Sequence, residues 1–315
     1  MKRIATYLLV VCAMAGFLTT PGLRAWGCKG HQTVALIAEK QLTREAAKLV
    51  NSLLTQNPID PKLQRWCGDV RDAMADASSW PDDVRNERKN GPWHYIDIPR
   101  GAQHGPMDTY CGSEGCVIRA ISEQTAILKD KKADPLKRAE AVRYIIHFVG
   151  DLHQPLHAIT NADQGGNCVP VNYFRRRARM HGHSFAPNLH SLWDIAILER
   201  EMEGADPQEF AETLESKFAA DIEGWQKAGI RVDDWAWESF DDAEATVYGN
   251  LIPKIAVEPN VPVRSCSDDN NIGERLLKQH IVAGAIYQEA AAPVVEERIT
   301  QAGVRLALIL NEAAK

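Results

Sequence analysis

The segment His147–His157, HFVGDLHQPLH, constrains the fold of this chain more than any other. It places three histidines and an aspartate within eleven residues, next to an apolar run. His147 and Asp151 are four residues apart, so a helix presents both on one face, where they suit a divalent cation such as zinc. Pro155 ends the helix and lets His157 reach a second site. Because burying these groups is costly unless they are paired or bind metal, the segment predicts a metal site inside a helical fold.

Residues 1–25 have the pattern of a secretory signal peptide rather than of a folded segment. Lys2 and Arg3 precede an apolar run from about Ile4 to Leu18, and Leu23–Ala25 provides a small-residue cleavage site. An uncleaved membrane anchor is the alternative, but the run is short for a span of ~20 residues. We therefore predict a mature domain, residues 26–315, that begins at Trp26, is secreted or periplasmic, and has no stable membrane association.

The predicted mature chain is acidic. Residues 1–25 carry three basic side chains and no acidic one, so their removal changes the net charge from −6 to −9. Such a chain is a poor general binder of polyanions. If it acts on nucleic acid, local cations must provide the attraction, and bound metal ions are candidates.

Six cysteines remain after residue 25, and an even number in an exported chain favours disulfides. Cys111 and Cys116 bracket GSEG and are predicted to close a tight loop on each other. The other pairings stay open. A thiolate metal site is the alternative, but no CxxC spacing supports it.

Helical periodicity dominates the chain and the strand signal is weak. The expected fold is one mainly α domain, a helical bundle with a small β-hairpin. Val169–Phe174 is the candidate strand of that hairpin. The predicted helices are His31–Leu42, Thr43–Leu54 with Thr43 as its cap, Cys116–Leu128, Pro135–Leu152, Ser191–Glu201, Pro207–Ala219, Leu276–Ala292 and Pro293–Asn311.

Further histidines and acids lie in suggestive contexts outside the central segment. His190 and Asp194 repeat the spacing of four residues in NLHSLWD. An isolated histidine is usually an ordinary core or surface residue, but two such His–Asp pairs favour a metal function. The full set is too large for one tetrahedral zinc and suits two or three ions. Its members are His31, Asp82, His94, His147, Asp151, His157, His190 and Asp194.

These motifs resemble those of the zinc-dependent type I nucleases, whose superfamily also contains bacterial zinc-dependent phospholipase C. The matching segments occur in the family's order: WGCKGHQTVALIA, SSWPDD, PWHYIDIP, CGSEGCVIRAI, HFVGDLHQPLH and NLHSLWD. The resemblance implies a helical bundle of the phospholipase C and type I nuclease type. CGSEGC and HQPLH favour the nuclease branch.

The resemblance further implies three zinc ions per chain. One ion is held by Asp82, His94 and His147. A second is held by His31 and by Trp26, through its free α-amino nitrogen and its carbonyl oxygen. Asp151 bridges these two ions, so Asp82 and Asp151 are the expected catalytic carboxylates. A third ion is held by His157, His190 and Asp194. Since the amino group of Trp26 is a ligand, assembly of the cluster is predicted to require removal of residues 1–25.

Four residues are candidates for substrate binding. Tyr95 matches the position at which the family stacks a nucleobase, although core packing is an alternative. Asp97 matches an acid that contacts the base. Arg85 is placed like a basic residue near the phosphate, or it is a solvated surface residue. Asn167 contacts substrate or orients the nucleophile. Stacking on an aromatic side chain tolerates any base and favours unpaired strands.

The segment RRRARMHGH, residues 175–183, departs from the family pattern, in which a short hairpin link is expected. It is either a phosphate-attracting lip beside the cleft or a solvated loop. His153 points away from Asp151 in a helix and is expected either to support a metal ligand or to be structural. Trp235 and Trp237 are expected to pack in the core or at its rim.

The expected function is a secreted zinc-dependent endonuclease that hydrolyses single-stranded DNA and RNA to 5′-phosphorylated products, acts as a monomer, and has 3′-nucleotidase activity by family implication. A zinc-dependent phospholipase C and a non-catalytic zinc-binding protein are the alternatives. Base preference and pH optimum do not follow from the sequence.

Overall fold

The computed structural model describes residues 26–181, 184–249, 251, 266, 278 and 281–315. Helices dominate these residues, as predicted, and the predicted signal peptide lies outside them. The helices are α1 (Gly27–Lys40), α2 (Arg44–Gln56), α3 (Ala73–Ala77), α4 (Trp80–Asp83), α5 (Arg85–Arg88), α6 (Val117–Lys129), α7 (Pro135–Leu152), α8 (Leu189–Ser191), α9 (Ile197–Glu201), α10 (Pro207–Lys217), α11 (Ala219–Ala228), α12 (Val232–Asp242) and α13 (Ala285–Ala313). Single 3₁₀ turns lie at Gly91–His94, Met107–Tyr110 and Pro155–His157, and π turns at Leu192–Ala196 and Ala243–Tyr248.

Helix α7 forms the centre of the fold. Asp134 caps it by accepting from the backbone N–H groups of Leu136 and Lys137, and Pro135 occupies its first turn. From Ala141 to Leu152 every residue is buried, which is expected only of a helix covered on all sides. It packs against α6, α2, α1 and α13. The face that carries His147 and Asp151 is therefore in the interior of the protein.

Helices α1 and α13 pack closely at a glycine. A Cβ placed on Gly303 would lie 2.5 Å from Cγ2 of Ile37, so only glycine allows this approach. Thr43, just after α1, accepts from the backbone N–H of Ala46 and caps α2, as predicted. Trp235 and Trp237 of α12 are buried, which confirms their packing role.

The prediction for the C-terminal helix was wrong. Instead of two helices divided before Pro293, one helix of 29 residues runs from Ala285 to Ala313. Pro293 and Glu289 are exposed, so the carbonyl that loses its helical partner at the proline can be hydrated. Packing of the following turns holds the helix together across this position. Most of the predicted segment 276–280 lies outside the described residues.

The strands also differ from the prediction. Within Val169–Phe174 only Asn172–Tyr173 forms a strand, β1, and it pairs in parallel with β4 (Val282–Ala283) instead of forming a hairpin. The hairpin is formed by β2 (Arg179–His181), in the arginine-rich segment, and β3 (Ser184–Ala186), just after it, which pair antiparallel. The parallel partner is more than 100 residues away, which a local sequence pattern cannot indicate.

Three disulfides join the described cysteines, Cys28–Cys67, Cys111–Cys116 and Cys168–Cys266. The predicted Cys111–Cys116 pair is confirmed. In the part of the chain that the structure describes, we find no helix with the length and apolar character needed to cross a membrane.

Candidate metal centre

The structure brings all eight predicted histidines and acids into three adjacent groups. Within each group, the atoms able to bind a metal lie within 4.8 Å of one another. The groups are His31, His147 and Asp151; Asp82, His94 and His147; and His157, His190 and Asp194. We call them the first, second and third clusters.

Asp151 links the first two clusters. Its Oδ1 atom lies 3.3 Å from Nε2 of His31, whereas its Oδ2 atom lies 2.9 Å from Nδ1 of His94 and 3.3 Å from Nε2 of His147. Asp82 approaches from α4, with Oδ1 at 3.7 Å from Nδ1 of His94. One carboxylate thus presents an oxygen to each cluster, as a bridging ligand would.

A glycine in α7 makes room for His31. A Cβ on Gly150 would lie 2.8 Å from Nδ1 of His31, so a larger residue would displace the imidazole. The ring instead stacks on His147, with 4.1 Å between ring centroids. Among the described residues, neither ring nitrogen of His31 and not Oδ1 of Asp151 makes a hydrogen bond, although all three atoms are buried. Buried polar atoms that make no hydrogen bond are costly. A cation held by Nε2 of His31 and Oδ1 of Asp151, which face each other at 3.3 Å, would satisfy these two atoms.

The third cluster is formed around a π turn. Asn188 caps α8: its Oδ1 accepts from Ser191 N, and its own backbone N–H donates to Oγ of Ser191, which starts the helix just before His190. The chain then widens into the π turn Leu192–Ala196, which carries Asp194. Such turns occur frequently at functional sites. Nε2 of His190 lies 3.2 Å from Oδ2 of Asp194 and 3.2 Å from Nε2 of His157.

Backbone carbonyls set the orientation of three of the imidazoles. His147 donates from Nδ1 to Ser78 O, and His157 donates from Nδ1 to His94 O, each at 2.7 Å. His190 donates from Nδ1 to Gly165 O at 2.6 Å. These bonds keep a proton on each Nδ1, so a ring that carries no second proton directs the lone pair of Nε2 into its cluster. This arrangement is typical of metal-binding histidines.

The electrostatics of the clusters favour bound cations. Burial alone would lower the pKa of His147, but Asp151 and Asp82 raise it to about 9. Burial lowers the pKa of His157 to about 3 and that of His190 to about 4, so both rings are neutral at pH 7. Burial also raises the pKa of the Asp194 carboxyl well above its usual range. The first two clusters therefore attract positive charge, and the third offers neutral nitrogens with a carboxyl group that needs a cation to ionise.

Trp26 lies against the first cluster. It is fully buried, and its indole Nε1 donates to Gly150 O, next to Asp151, at 2.8 Å. Its carbonyl accepts the first helical bond of α1 from Gly30 N at 3.1 Å, which leaves one lone pair of that oxygen available. Its role as a metal ligand stays a prediction.

The four candidate substrate residues differ in their exposure and in their contacts. Tyr95 and Arg85 are half-buried, and Asp97 is exposed. Burial is the main cause of the lowered pKa of His190, and the positive charge of Arg85 lowers it further. Arg85 therefore lies near the third cluster as well as near Asp82. Asn167 donates its side-chain amide to Gln164 O, within its own loop, at 2.8 Å. The substrate roles of all four stay predictions.

Two neighbours of the central segment have distinct roles. His153 donates from Nδ1 to Val149 O and lies 3.0 Å from Nη1 of Arg305, away from the clusters, which confirms its structural role. Sequence reasoning missed Gln154. This buried side chain donates from Nε2 to Oδ1 of Asp194 at 2.5 Å. The only signal in the sequence was the position of this amide in HQPLH, three residues before the candidate ligand His157.

Comparison with known proteins gives a consistent result. Residues 26–315 match the family model described as S1/P1 Nuclease. The chain is 28% identical over 310 residues to Endonuclease 4 of Arabidopsis thaliana, covering 92% of this chain and 89% of that protein. It is 26% identical to Nuclease P1 of Penicillium citrinum (91% and 97% covered) and 27% identical to Nuclease S1 of Aspergillus oryzae (91% of each).

Proposed function

The chain belongs to the S1/P1 nuclease family and is a nuclease, and from this premise we propose that it is a zinc-dependent endonuclease that hydrolyses single-stranded DNA and RNA. The products carry 5′-phosphates, and 3′-nucleotidase activity accompanies the reaction. The observation that carries the proposal is the pair of clusters that Asp151 links, with a third cluster beside them.

The donor atoms fit three zinc ions. Imidazole nitrogen and carboxylate oxygen are normal zinc ligands. Nε2 of His31 and Oδ1 of Asp151 face each other at 3.3 Å without a hydrogen bond, and a cation would satisfy both. His31, Asp151 and the amino group of Trp26 would hold one ion. Asp82, His94, His147 and Asp151 would hold the second, and His157, His190 and Asp194 the third. When bound, the ions supply a nucleophile at neutral pH and offset charge on the phosphodiester transition state.

The protein's own residues position the reactants. Asp151 and Asp82 provide the negative charge that would hold the ions of the first two clusters. The carbonyls of Ser78, His94 and Gly165 keep three imidazoles in the ligand tautomer. Arg85 binds a phosphate near the third cluster. Tyr95 stacks a nucleobase, Asp97 contacts that base, and Asn167 contacts the substrate.

Export and processing complete the proposal. Residues 1–25 are removed as a signal peptide, the mature protein is secreted or periplasmic, and its three disulfides form in an oxidising compartment. Cleavage before Trp26 frees the α-amino group that binds zinc.

The test uses zinc-loaded protein that begins at Trp26. We expect it to release acid-soluble nucleotides from single-stranded DNA and RNA, with 5′-phosphates at the new ends. A chelator should abolish release, and added zinc should restore it. Undiminished release after the chelator has removed all metal would refute the zinc mechanism. No release of nucleotides from a fully zinc-loaded sample would refute the nuclease assignment. The same sample is tested in parallel on a choline phospholipid, the substrate of the alternative activity.

A further inference from the structure

A group of exposed basic and apolar side chains lies on the chain segment that leads to His190. It consists of four arginines, two apolar residues and one more arginine from α9. We call it the basic platform; its members are Phe174, Arg175, Arg176, Arg177, Arg179, Met180 and Arg200. Five of its seven members lie in the segment 175–183 that departs from the family pattern, and the proposed reaction does not use them.

The four arginines of the segment are available for a ligand. All four are exposed, and none forms an ion pair with another residue that the structure describes. The net charge of the whole chain is −6, so this concentration of positive charge is a local exception. Positive charge of this kind attracts phosphate groups at a site where the protein as a whole repels them.

The backbone holds Phe174 in a defined, solvent-facing position. Its φ of 48° lies in the left-handed region, which is unfavourable for a bulky residue. Reciprocal backbone bonds between Tyr173 and Arg176, both 2.9 Å, close the turn around it. Although it is 39% exposed, its ring is supported by Arg200, whose guanidinium lies 4.0 Å from the ring centroid. An aromatic ring fixed at the surface among arginines has the features of a base-stacking position.

The platform is attached to the loop that orients the third cluster. Val171 N donates to Pro187 O, and Leu189 N donates to Val169 O at 2.8 Å, so the two ends of the segment are joined at its base. Arg179 pairs across the hairpin with Ala186, only four residues before His190. Four residues span at most about 14 Å, and paired strands add about 5 Å. The Cα atom of Arg179 therefore lies within about 20 Å of that of His190, a distance that a few nucleotides of a single strand can span.

We propose that the basic platform binds the substrate strand a few nucleotides away from the phosphodiester that is cleaved. Its arginines contact the phosphates, and Phe174 stacks one base. This inference rests on the proposed nuclease function and deepens it. It predicts that long single strands, which can contact the platform and the metal centre at the same time, are preferred over dinucleotides.

The test compares three zinc-loaded proteins, the wild type, a platform variant and a control variant, on two substrates. The platform variant carries Arg→Gln at positions 175, 176, 177 and 179. The control variant carries Lys→Gln at positions 48, 62, 132 and 137, all exposed, so both lose the same charge. KM and kcat are measured for a 20-nucleotide single strand and for a dinucleotide, at several salt concentrations, after equal thermal stability has been established.

We expect the platform variant to show a KM for the long strand raised at least about tenfold at low salt, with kcat unchanged. Each lost phosphate contact should make the slope of log affinity against log salt shallower by about 0.7. The control variant should match the wild type, and dinucleotide hydrolysis should be the same in all three proteins. Phe174→Ala should raise the KM for the long strand at least about fivefold, and Phe174→Tyr should restore it.

Two results would overturn the inference while leaving the nuclease assignment intact. One is a platform variant with the KM and salt slope of the wild type. The other is an equal loss on the dinucleotide, which would place the effect in the His190 loop. If the wild-type protein cleaves neither substrate, the proposed function itself fails, so the two failures are distinguishable.

Discussion

Replacement of Gln154 should weaken one metal site and leave the other two unchanged. The Gln154 side chain is fully buried between two bonds. Its Nε2 donates to Oδ1 of Asp194, and its Oε1 accepts from Leu156 N, each at 2.5 Å. The first of these bonds occupies one oxygen of Asp194 and leaves Oδ2 facing His190. Gln154 therefore positions Asp194 as a ligand with one available oxygen.

The Gln154→Met variant keeps the length of the side chain and removes both bonds. Two buried groups, one of them a carboxylate oxygen, would each lose a partner, at a cost of about 1–3 kcal/mol per group. Loss of a residue that supports a ligand typically costs about 10- to 100-fold in metal affinity. The side chain of Gln154 bonds to no residue of the first two clusters, and its backbone N–H, which donates to Asp151 O at 3.0 Å, is kept in the variant. Only the third zinc should therefore be affected.

Competition with a chromophoric chelator measures this effect directly. We expect one of three zinc ions to dissociate 10 to 100 times more readily in the variant, with the other two unchanged. Gln124→Met, at a buried position on α6, serves as the control for loss of a buried amide. Three ions held with wild-type affinity in Gln154→Met would show that Asp194 does not depend on this bond, and a uniform loss of all three would indicate general damage.

Three further predictions concern the linked clusters, the amino terminus and the disulfides. Asp151→Asn should remove two of the three zinc ions and reduce strand hydrolysis at least about a thousandfold, about 4 kcal/mol; metal analysis showing three ions would contradict the bridging role. Protein extended by a few residues before Trp26 should lose one zinc ion and most of its activity, and proteolytic removal should restore both; full activity of the extended form refutes the amino ligand. Replacing the Cys168–Cys266 pair by serines should lower the free energy of unfolding by about 5 kcal/mol, against about 2 kcal/mol for Cys111–Cys116, because the first closes 98 residues and the second 5; denaturant titrations giving equal losses would contradict this.

Local spacing predicted the pairs within single helices. His147 and Asp151 do share a face of α7, with 3.3 Å between Nε2 and Oδ2. His190 and Asp194 also meet, although a π turn rather than a regular α-helix carries Asp194. In both pairs, the distance between the side chains follows from four residues of helical rise and needs no knowledge of the rest of the fold.

The grouping of the eight ligands into three clusters did not follow from spacing. Asp82, His94 and His147 come from three separate segments, and only the family resemblance placed them together. Gln154 was missed because a glutamine has no distinguishing pattern until its partner Asp194, 40 residues away, is located. The sequence also misplaced the break at Pro293, because the cost of a proline depends on whether water can reach the freed carbonyl.

Native mass spectrometry of zinc-loaded protein beginning at Trp26, with strand hydrolysis measured on the same samples during stepwise metal removal, tests the account most directly. We expect three zinc ions per chain and a loss of single-strand hydrolysis that follows their removal. Full hydrolysis by protein that holds no zinc, or a single zinc per chain at saturation, would contradict the three-cluster centre.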